Sequence, residues 1–162
     1  MGPLSISLNT AAVKNTIPLI ANGLWVEFRL EEISGEHVVG KGDTSKWKWS
    51  LVTPTTSTEG KTLNVGFPFT ENIQFYDKNT DPENPVVPEW ALKKVCARID
   101  GLLGTGDPEN KKNKPVRPDF NAELVPSLIG KVIRVEMKVE SSEQYGDKNQ
   151  FGKIIFPGDI QA

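Results

Sequence analysis

The sequence is poor in the residues that most often cross-link a fold or carry catalysis, with one cysteine, Cys96, and one histidine, His37. A single cysteine cannot form an internal disulfide, and one histidine with one cysteine is too few for a zinc site. The sequence also lacks a glycine-rich phosphate-binding loop, a Gly-x-Ser-x-Gly turn and a pair of carboxylates at a spacing that would indicate catalysis. These absences predict a protein that is not an enzyme and has no catalytic residues, no metal and no cofactor.

Strong net charge and long apolar segments are missing as well. The chain has 19 basic and 21 acidic residues, for a formal charge of −2, so any nucleic-acid site has to be a local patch. No segment approaches the roughly 20 apolar residues of a membrane span, and residues 1–16 lack the order of a secretory signal. Cys96 falls in an apolar helical pattern. We therefore expect a cytoplasmic protein with a buried thiol and no membrane association.

The composition that is present is typical of a globular protein, with 37% hydrophobic and 25% charged residues. A chain of 162 residues is long enough to bury a sufficient core as one domain. We expect a single domain over residues 1–162. Within it, residues 1–16 form an amino-terminal extension, and residues 104–119 form a polar loop, mobile enough for its basic side chains to close over a bound strand.

Alternating apolar and polar residues predict five strands, at 24–33, 46–52, 62–69, 133–139 and 150–156. Between the third and fourth strands, an apolar residue recurs every three to four positions after Pro88, which predicts a helix that covers a core. Gly101 or Gly104 can end this helix.

Three strands, a helix and two further strands are the element order of a five-stranded OB barrel, with the helix closing one end of the barrel. The predicted fold class is therefore mainly β: a five-stranded OB-fold barrel of order β1-β2-β3-α-β4-β5 with one capping helix. Such barrels bind oligonucleotides or oligosaccharides on the outer face of strands two and three. The flanking loops, here 34–45 and 141–149, complete the site.

The alternation also assigns each side chain to a face of its strand. Trp47 and Trp49 share the apolar face of strand two, which predicts that they are core residues, with base stacking as the alternative. The opposite face carries cations and an aromatic ring, which suit a strand of phosphates and bases. The predicted nucleic-acid-binding residues, including those of the two loops and the last hairpin, are Trp25, Arg29, Lys41, Lys46, Lys48, Tyr145, Lys148, Phe151 and Lys153.

Several segments form a familiar series in this order: Ile20-Ala21-Asn22-Gly23-Leu24-Trp25, Lys46-Trp47-Lys48-Trp49, Leu128-Ile129-Gly130-Lys131, Tyr145-Gly146-Asp147-Lys148-Asn149 and Phe156-Pro157. Over about residues 16–158, the chain resembles the small phage-encoded single-stranded DNA-binding proteins with an OB fold. The resemblance implies a sequence-tolerant protein that coats single-stranded DNA during phage replication or recombination, in the cytoplasm of the infected host cell. It also implies phage replication or recombination proteins as partners. Residues 158–162 do not form the acidic tail through which many such proteins recruit them.

A second hypothesis is a non-catalytic β-barrel or β-sandwich module that binds sugar or protein, such as a structural component of a virion. Exposed tryptophans stack on sugars as well as on bases, so the sequence leaves this alternative open. It also leaves open the choice between DNA and RNA, the site size and the oligomeric state. A homodimer is one arrangement available to OB proteins, which pair through strand edges or helices.

Overall fold

The computed structural model describes residues 18–38, 42–74, 88–106, 115–143 and 146–158. The predicted extension at 1–16, residues 107–114 of the predicted loop at 104–119, Lys41 and Tyr145 lie outside these ranges. The elements, in chain order, are the strands β1 (Trp25–Val38), β2 (Gly42–Leu51), β3 (Thr55–Thr56), β4 (Thr62–Leu63) and β5 (Pro68–Gln74), the helices α1 (Glu89–Leu103) and α2 (Val125–Leu128), and the strands β6 (Val132–Ser142) and β7 (Gly146–Ile155).

The main sheet of the described chain is antiparallel and has the strand order β5-β2-β1-β6-β7, while β3 and β4 form a small separate ladder. The central strand is β1, whose inward residues Val26, Phe28 and Leu30 are buried. The mainly β class, the helix between the third and fourth strands of the sheet, and the order of those strands along the chain are confirmed. No closed barrel is seen in the described residues, because β5 and β7 are edge strands with no hydrogen bonds between them.

The sheet curls so that side chains of its two edge strands meet. The ring centroids of Phe69 on β5 and Phe151 on β7 lie 4.9 Å apart. Both rings also contact Phe28 on the central strand, at 5.7 and 5.6 Å. Aromatic pairs at such distances add to the stability of a core beyond the area that they bury. The core is therefore continuous from one edge of the sheet to the other.

The predicted third strand at 62–69 is wrong in its position. Thr62–Leu63 pairs with Thr55–Thr56 in the small ladder, and the strand that joins the main sheet is Pro68–Gln74. A turn at Gly66, whose φ of 92° suits glycine, separates the two. Val65, which the alternation of a strand at 62–69 would turn inward, is 61% exposed in this turn. The alternation over 62–69 therefore runs across two elements, and Pro68 opens an edge strand, where its missing N–H is tolerated.

Helix α1 covers one side of the core with the predicted stripe of Ala91, Val95, Ile99 and Leu102, all buried. The helix ends at Gly104, which adopts the left-handed conformation with φ of 70° and donates its N–H to the Asp100 carbonyl oxygen at 2.8 Å. Cys96 is half-buried, which corrects the expectation of a buried thiol.

A buried ion pair ties α1 to the sheet. The Nε and Nη2 groups of Arg98 donate to the two carboxylate oxygens of Glu71 on β5, and its Nη1 donates to the Lys94 carbonyl oxygen. Glu71 also accepts a hydrogen bond of 3.1 Å from Trp49 Nε1. The Arg98 guanidinium lies 5.3 Å from the ring centroid of Phe151. One charged cluster thus fixes the helix against β2, β5 and β7.

The chain before β1 lies along the end of the β6–β7 hairpin and is held there by asparagine side chains. Ile20 donates its N–H to Asn149 Oδ1 at 2.7 Å, and Asn149 Nδ2 donates to the Ile20 carbonyl oxygen at 2.9 Å. Asn22 Oδ1 accepts a hydrogen bond of 2.9 Å from the Val139 N–H. These amides give partners to backbone groups that lie outside the ladders between the described strands.

Gly101 gives a test of how closely α1 packs on the sheet. A Cβ atom at this position would lie 2.5 Å from Ile154 Cγ2 and 3.1 Å from Ile133 Cγ2. Alanine normally stabilises a helix relative to glycine, but here we expect Gly101→Ala to lower the free energy of unfolding by about 1–3 kcal/mol, because the added methyl overpacks the core. Urea denaturation would measure this change. Gly35→Ala, whose methyl meets nothing within 4 Å, is the control, and a stabilised Gly101→Ala protein would contradict the prediction.

Candidate nucleic-acid interface

The outer face of the main sheet brings together four of the predicted binding residues. Trp25 and Arg29 lie on β1, opposite in direction to the buried Phe28, and Lys46 and Lys48 lie on the neighbouring β2. The register places Arg29 beside Ser50, four residues from Lys46. These side chains therefore follow one another along the same face of adjacent strands.

The tryptophans between these lysines belong to the core. Trp47 is 0% and Trp49 1% exposed, and their ring centroids lie 6.0 Å apart. Trp47 also stacks on Phe120 at 5.7 Å, and Trp49 contacts the edge of Phe151 at 5.5 Å. The prediction that both rings are core is confirmed. Neither ring is accessible for stacking on a base.

Arg29 and Lys46 are cations with uncharged neighbours across the strands. Arg29 is exposed and lies between Ser50 on β2 and Val132 on β6. Lys46 is half-buried and lies between Ser34 on β1 and Asn72 on β5. Neither has a salt bridge within the described part of the chain. Both charges are thus open to an external anion.

Trp25 is 36% exposed and has a cationic neighbour that the sequence analysis did not single out. The guanidinium carbon of Arg134 on β6 lies 5.8 Å from the Trp25 ring centroid. The register pairs Trp25 with Glu136 and Glu27 with Arg134, so the contact runs diagonally between the strands. The alternation of β6 could have placed Arg134 on the outer face, but its contact with Trp25 depends on the register.

Lys48 differs from Lys46 because it is already paired. Its Nζ lies 3.2 Å from Glu32 Oε2, and both side chains are about half exposed. The next outward residue of β2, Ser50, donates a hydrogen bond from its hydroxyl to Glu31 Oε1. Two carboxylates of β1 thus contact two successive outward side chains of β2, and the outer face is mixed in charge.

The residues predicted from the last hairpin separate into surface and core. Lys148 lies on the surface, 3.9 Å from Glu140, and Lys153 is exposed without a salt bridge in the described residues. Phe151 instead faces the core, because it lies opposite the buried Met137 and contacts three aromatic rings. Phe151 therefore does not contribute to the outer surface. Lys41 and Tyr145 lie outside the described residues.

In the segment that follows α1, the basic residue Arg117 has a structural role. Arg117 donates from Nε and Nη2 to the carboxylate of Asp100 at 2.8 and 2.6 Å, and Thr105 donates to the same carboxylate at 2.6 Å. The hydrogen bonds to Asp100 raise the pKa of Arg117 above its ordinary value. Arg117 is therefore engaged at the end of the helix.

Within the described ranges, no three His, Cys, Asp or Glu side chains lie close enough together to hold a metal ion. Over the same residues, no helix has the length and apolarity needed to cross a membrane. No family model matches the sequence, and no curated protein matches it at a significant level.

Proposed function

We propose that this chain is an OB-fold protein that binds single-stranded DNA across the outer face of its main sheet, without preference for sequence. The observation that carries the proposal is that Trp25, Arg29 and Lys46 lie along one face, and that neither cation has a carboxylate partner in the part of the chain that the structure describes. The strand order supports the fold, since an OB barrel results when the two edge strands of a sheet ordered β5-β2-β1-β6-β7 are joined. The contact between Phe69 and Phe151 already brings those edges close.

The dimensions of this face suit a short length of DNA. Trp25 to Arg29 and Ser50 to Lys46 each span four residues, or about 13 Å at roughly 3.3 Å per residue, which gives a path of about 26 Å. At a stacked spacing of roughly 3.4 Å, this path accommodates about eight nucleotides, within the range of about 4–16 that OB folds cover. Arg29 and Lys46 neutralise phosphates, and a base stacks on the exposed part of the Trp25 ring.

In this proposal the protein coats single-stranded DNA that is exposed during phage replication or recombination. It works in the cytoplasm of the infected cell, with phage replication or recombination proteins as partners. The mixed charge of the outer face favours a ligand that offers bases for stacking as well as phosphates, because the cations compete with nearby carboxylates. A single strand has unpaired bases to offer, whereas a duplex does not.

The double variant Arg29→Ala/Lys46→Ala tests the proposed face. Each phosphate contact contributes about 0.7 to the salt slope of single-strand binding, so we expect the slope to fall by about 1.4 and the affinity at low salt to fall at least about tenfold. Fluorescence anisotropy with labelled oligo-dT, between 50 and 200 mM salt, measures both quantities.

The matched control is Lys61→Ala/Lys93→Ala, which removes the same charge from exposed positions away from the outer face, on a turn and on α1. The control protein should bind like the unmodified chain. Equal losses in the two variants would contradict the assignment of the face, and no binding of oligo-dT by the unmodified chain at low salt would contradict the function. Competition with RNA and duplex DNA would define the preferred nucleic acid.

A further inference from the structure

A β-bulge in the central strand changes which side chains reach the outer face. The pairing of β1 with β2 shifts between Leu30 and Glu32, where Leu30 lies opposite Trp49 and Glu32 opposite Lys48. Regular alternation would turn Glu32 inward, since Leu30 is buried. With Glu31 as the extra residue, Glu31 and Glu32 are both exposed on the outer face, and Ile33 returns to the core.

The bulge places Glu32 on the path between the two open cations. It lies three residues beyond Arg29 on β1, about 10 Å away, and its partner Lys48 lies two residues from Lys46 on β2, about 7 Å away. A phosphate that passes from Arg29 to Lys46 is therefore within a Debye length, about 8–10 Å, of the Glu32 carboxylate. The ion pair of 3.2 Å with Glu32 neutralises Lys48 at this point.

We propose that Glu32 limits the affinity of the outer face for nucleic acid, because its ion pair with Lys48 keeps that lysine from binding a phosphate. The inference rests on the function proposed above and assigns Glu32 as a residue that sets affinity. Binding then depends on Arg29, Lys46 and stacking on Trp25. The ion pair is exposed, so neither side chain is needed to hold the sheet together, and Glu32 can be changed without loss of the fold.

Glu32→Gln tests this role because glutamine keeps the size of the side chain and removes its charge. We expect the variant to bind oligo-dT about fivefold more tightly at 50 mM salt, and its salt slope to increase by about 0.7, the contribution of one additional phosphate contact. In a Lys48→Ala background, the same substitution should have much less effect. Lys48→Ala by itself should change the affinity of the otherwise unmodified chain less than Lys46→Ala does.

Glu89→Gln is the control, since it frees Lys93 from a comparable exposed ion pair of 3.3 Å on α1, with the same change in net charge. This variant should bind like the unmodified chain. The inference is overturned if Glu32→Gln binds oligo-dT no more tightly than the unmodified chain, or if its gain in affinity is just as large in the Lys48→Ala background. In either case, binding of oligo-dT by the unmodified chain would still support the proposed function. Failure of the unmodified chain to bind oligo-dT at low salt would overturn the function itself.

Discussion

Replacing Glu71 with alanine is expected to lower the free energy of unfolding by about 3–5 kcal/mol, the usual cost of leaving a buried charge without its partner. The Arg98 side chain is 7% exposed and would lose both of its bonds to the carboxylate. The Nε1 group of Trp49 would lose its acceptor at the same time. Chemical denaturation followed by tryptophan fluorescence would measure the change.

Two controls separate the burial of this pair from its charge. Lys93→Ala removes one partner of the exposed pair with Glu89 and should cost about 0.5 kcal/mol or less. The double variant Glu71→Leu/Arg98→Met removes both buried charges and should be more stable than Glu71→Ala, because no ion is left unpaired. A Glu71→Ala protein within about 1 kcal/mol of the unmodified chain would show that water reaches Arg98 and would refute the prediction.

Trp47→Ala is expected to destabilise the protein by a similar amount, about 3–5 kcal/mol, because it removes a fully buried ring from between Trp49 and Phe120. The indole Nε1 of Trp47 has no acceptor among the described residues, so the loss is one of packing and not of a hydrogen bond. Thermal and urea denaturation would measure it. The folded protein, at low temperature, should still bind oligo-dT, since this ring does not reach the outer face.

Trp25→Ala is the matched comparison, because it should lower the affinity for DNA while changing the stability little. Its partly exposed ring contacts Arg134, so we expect a loss of stability of about 1 kcal/mol or less. Its affinity for oligo-dT should fall by the value of one stacked base, about 1–3 kcal/mol. If Trp47→Ala abolished binding in a protein that remains folded, the division between core and surface tryptophans would be wrong.

Alternation was enough to predict much of this architecture. It assigned Trp47 and Trp49 to the core and Lys46 and Lys48 to the opposite face, because side chains of a strand alternate between its two faces and β2 is regular. The apolar stripe of α1 was equally reliable, since a helix that covers a core needs one apolar side. Where an element is regular and half-buried, the pattern of its residues follows directly from its geometry.

The predictions failed where the backbone departs from regularity. The turn at Gly66 broke an alternation that continued by coincidence into the next strand. The bulge in β1 turns Glu32 outward, although regular alternation over the predicted strand 24–33 would turn it inward. Phe151 was assigned to the binding surface because it follows a polar hairpin, but its position opposite Met137 directs it into the core. A single bulge reverses the face of the residues that follow it in the strand, and a short alternating pattern reveals neither bulges nor turns.

Contacts between distant segments were beyond the reach of the sequence pattern. The pairing of Arg98 with Glu71 joins residues 27 positions apart, and the contact of Arg134 with Trp25 joins two strands of the sheet. From the sequence, each of these side chains is equally compatible with a position exposed to solvent. Only the packing of α1 against β5, and the register between β1 and β6, decides their partners.

The hydrogen bonds between Asn149 and Ile20 affect the order in which the chain can fold during its synthesis. Asn149 supplies both hydrogen bonds to the backbone of Ile20, although 129 residues separate them. At a translation rate of about 5–20 residues per second, roughly 6–26 s pass between the synthesis of the two. The hairpin of β1 and β2 can form on the ribosome well before then. Ile20, which is made before either strand, therefore cannot complete its backbone hydrogen bonds until Asn149 has been synthesised.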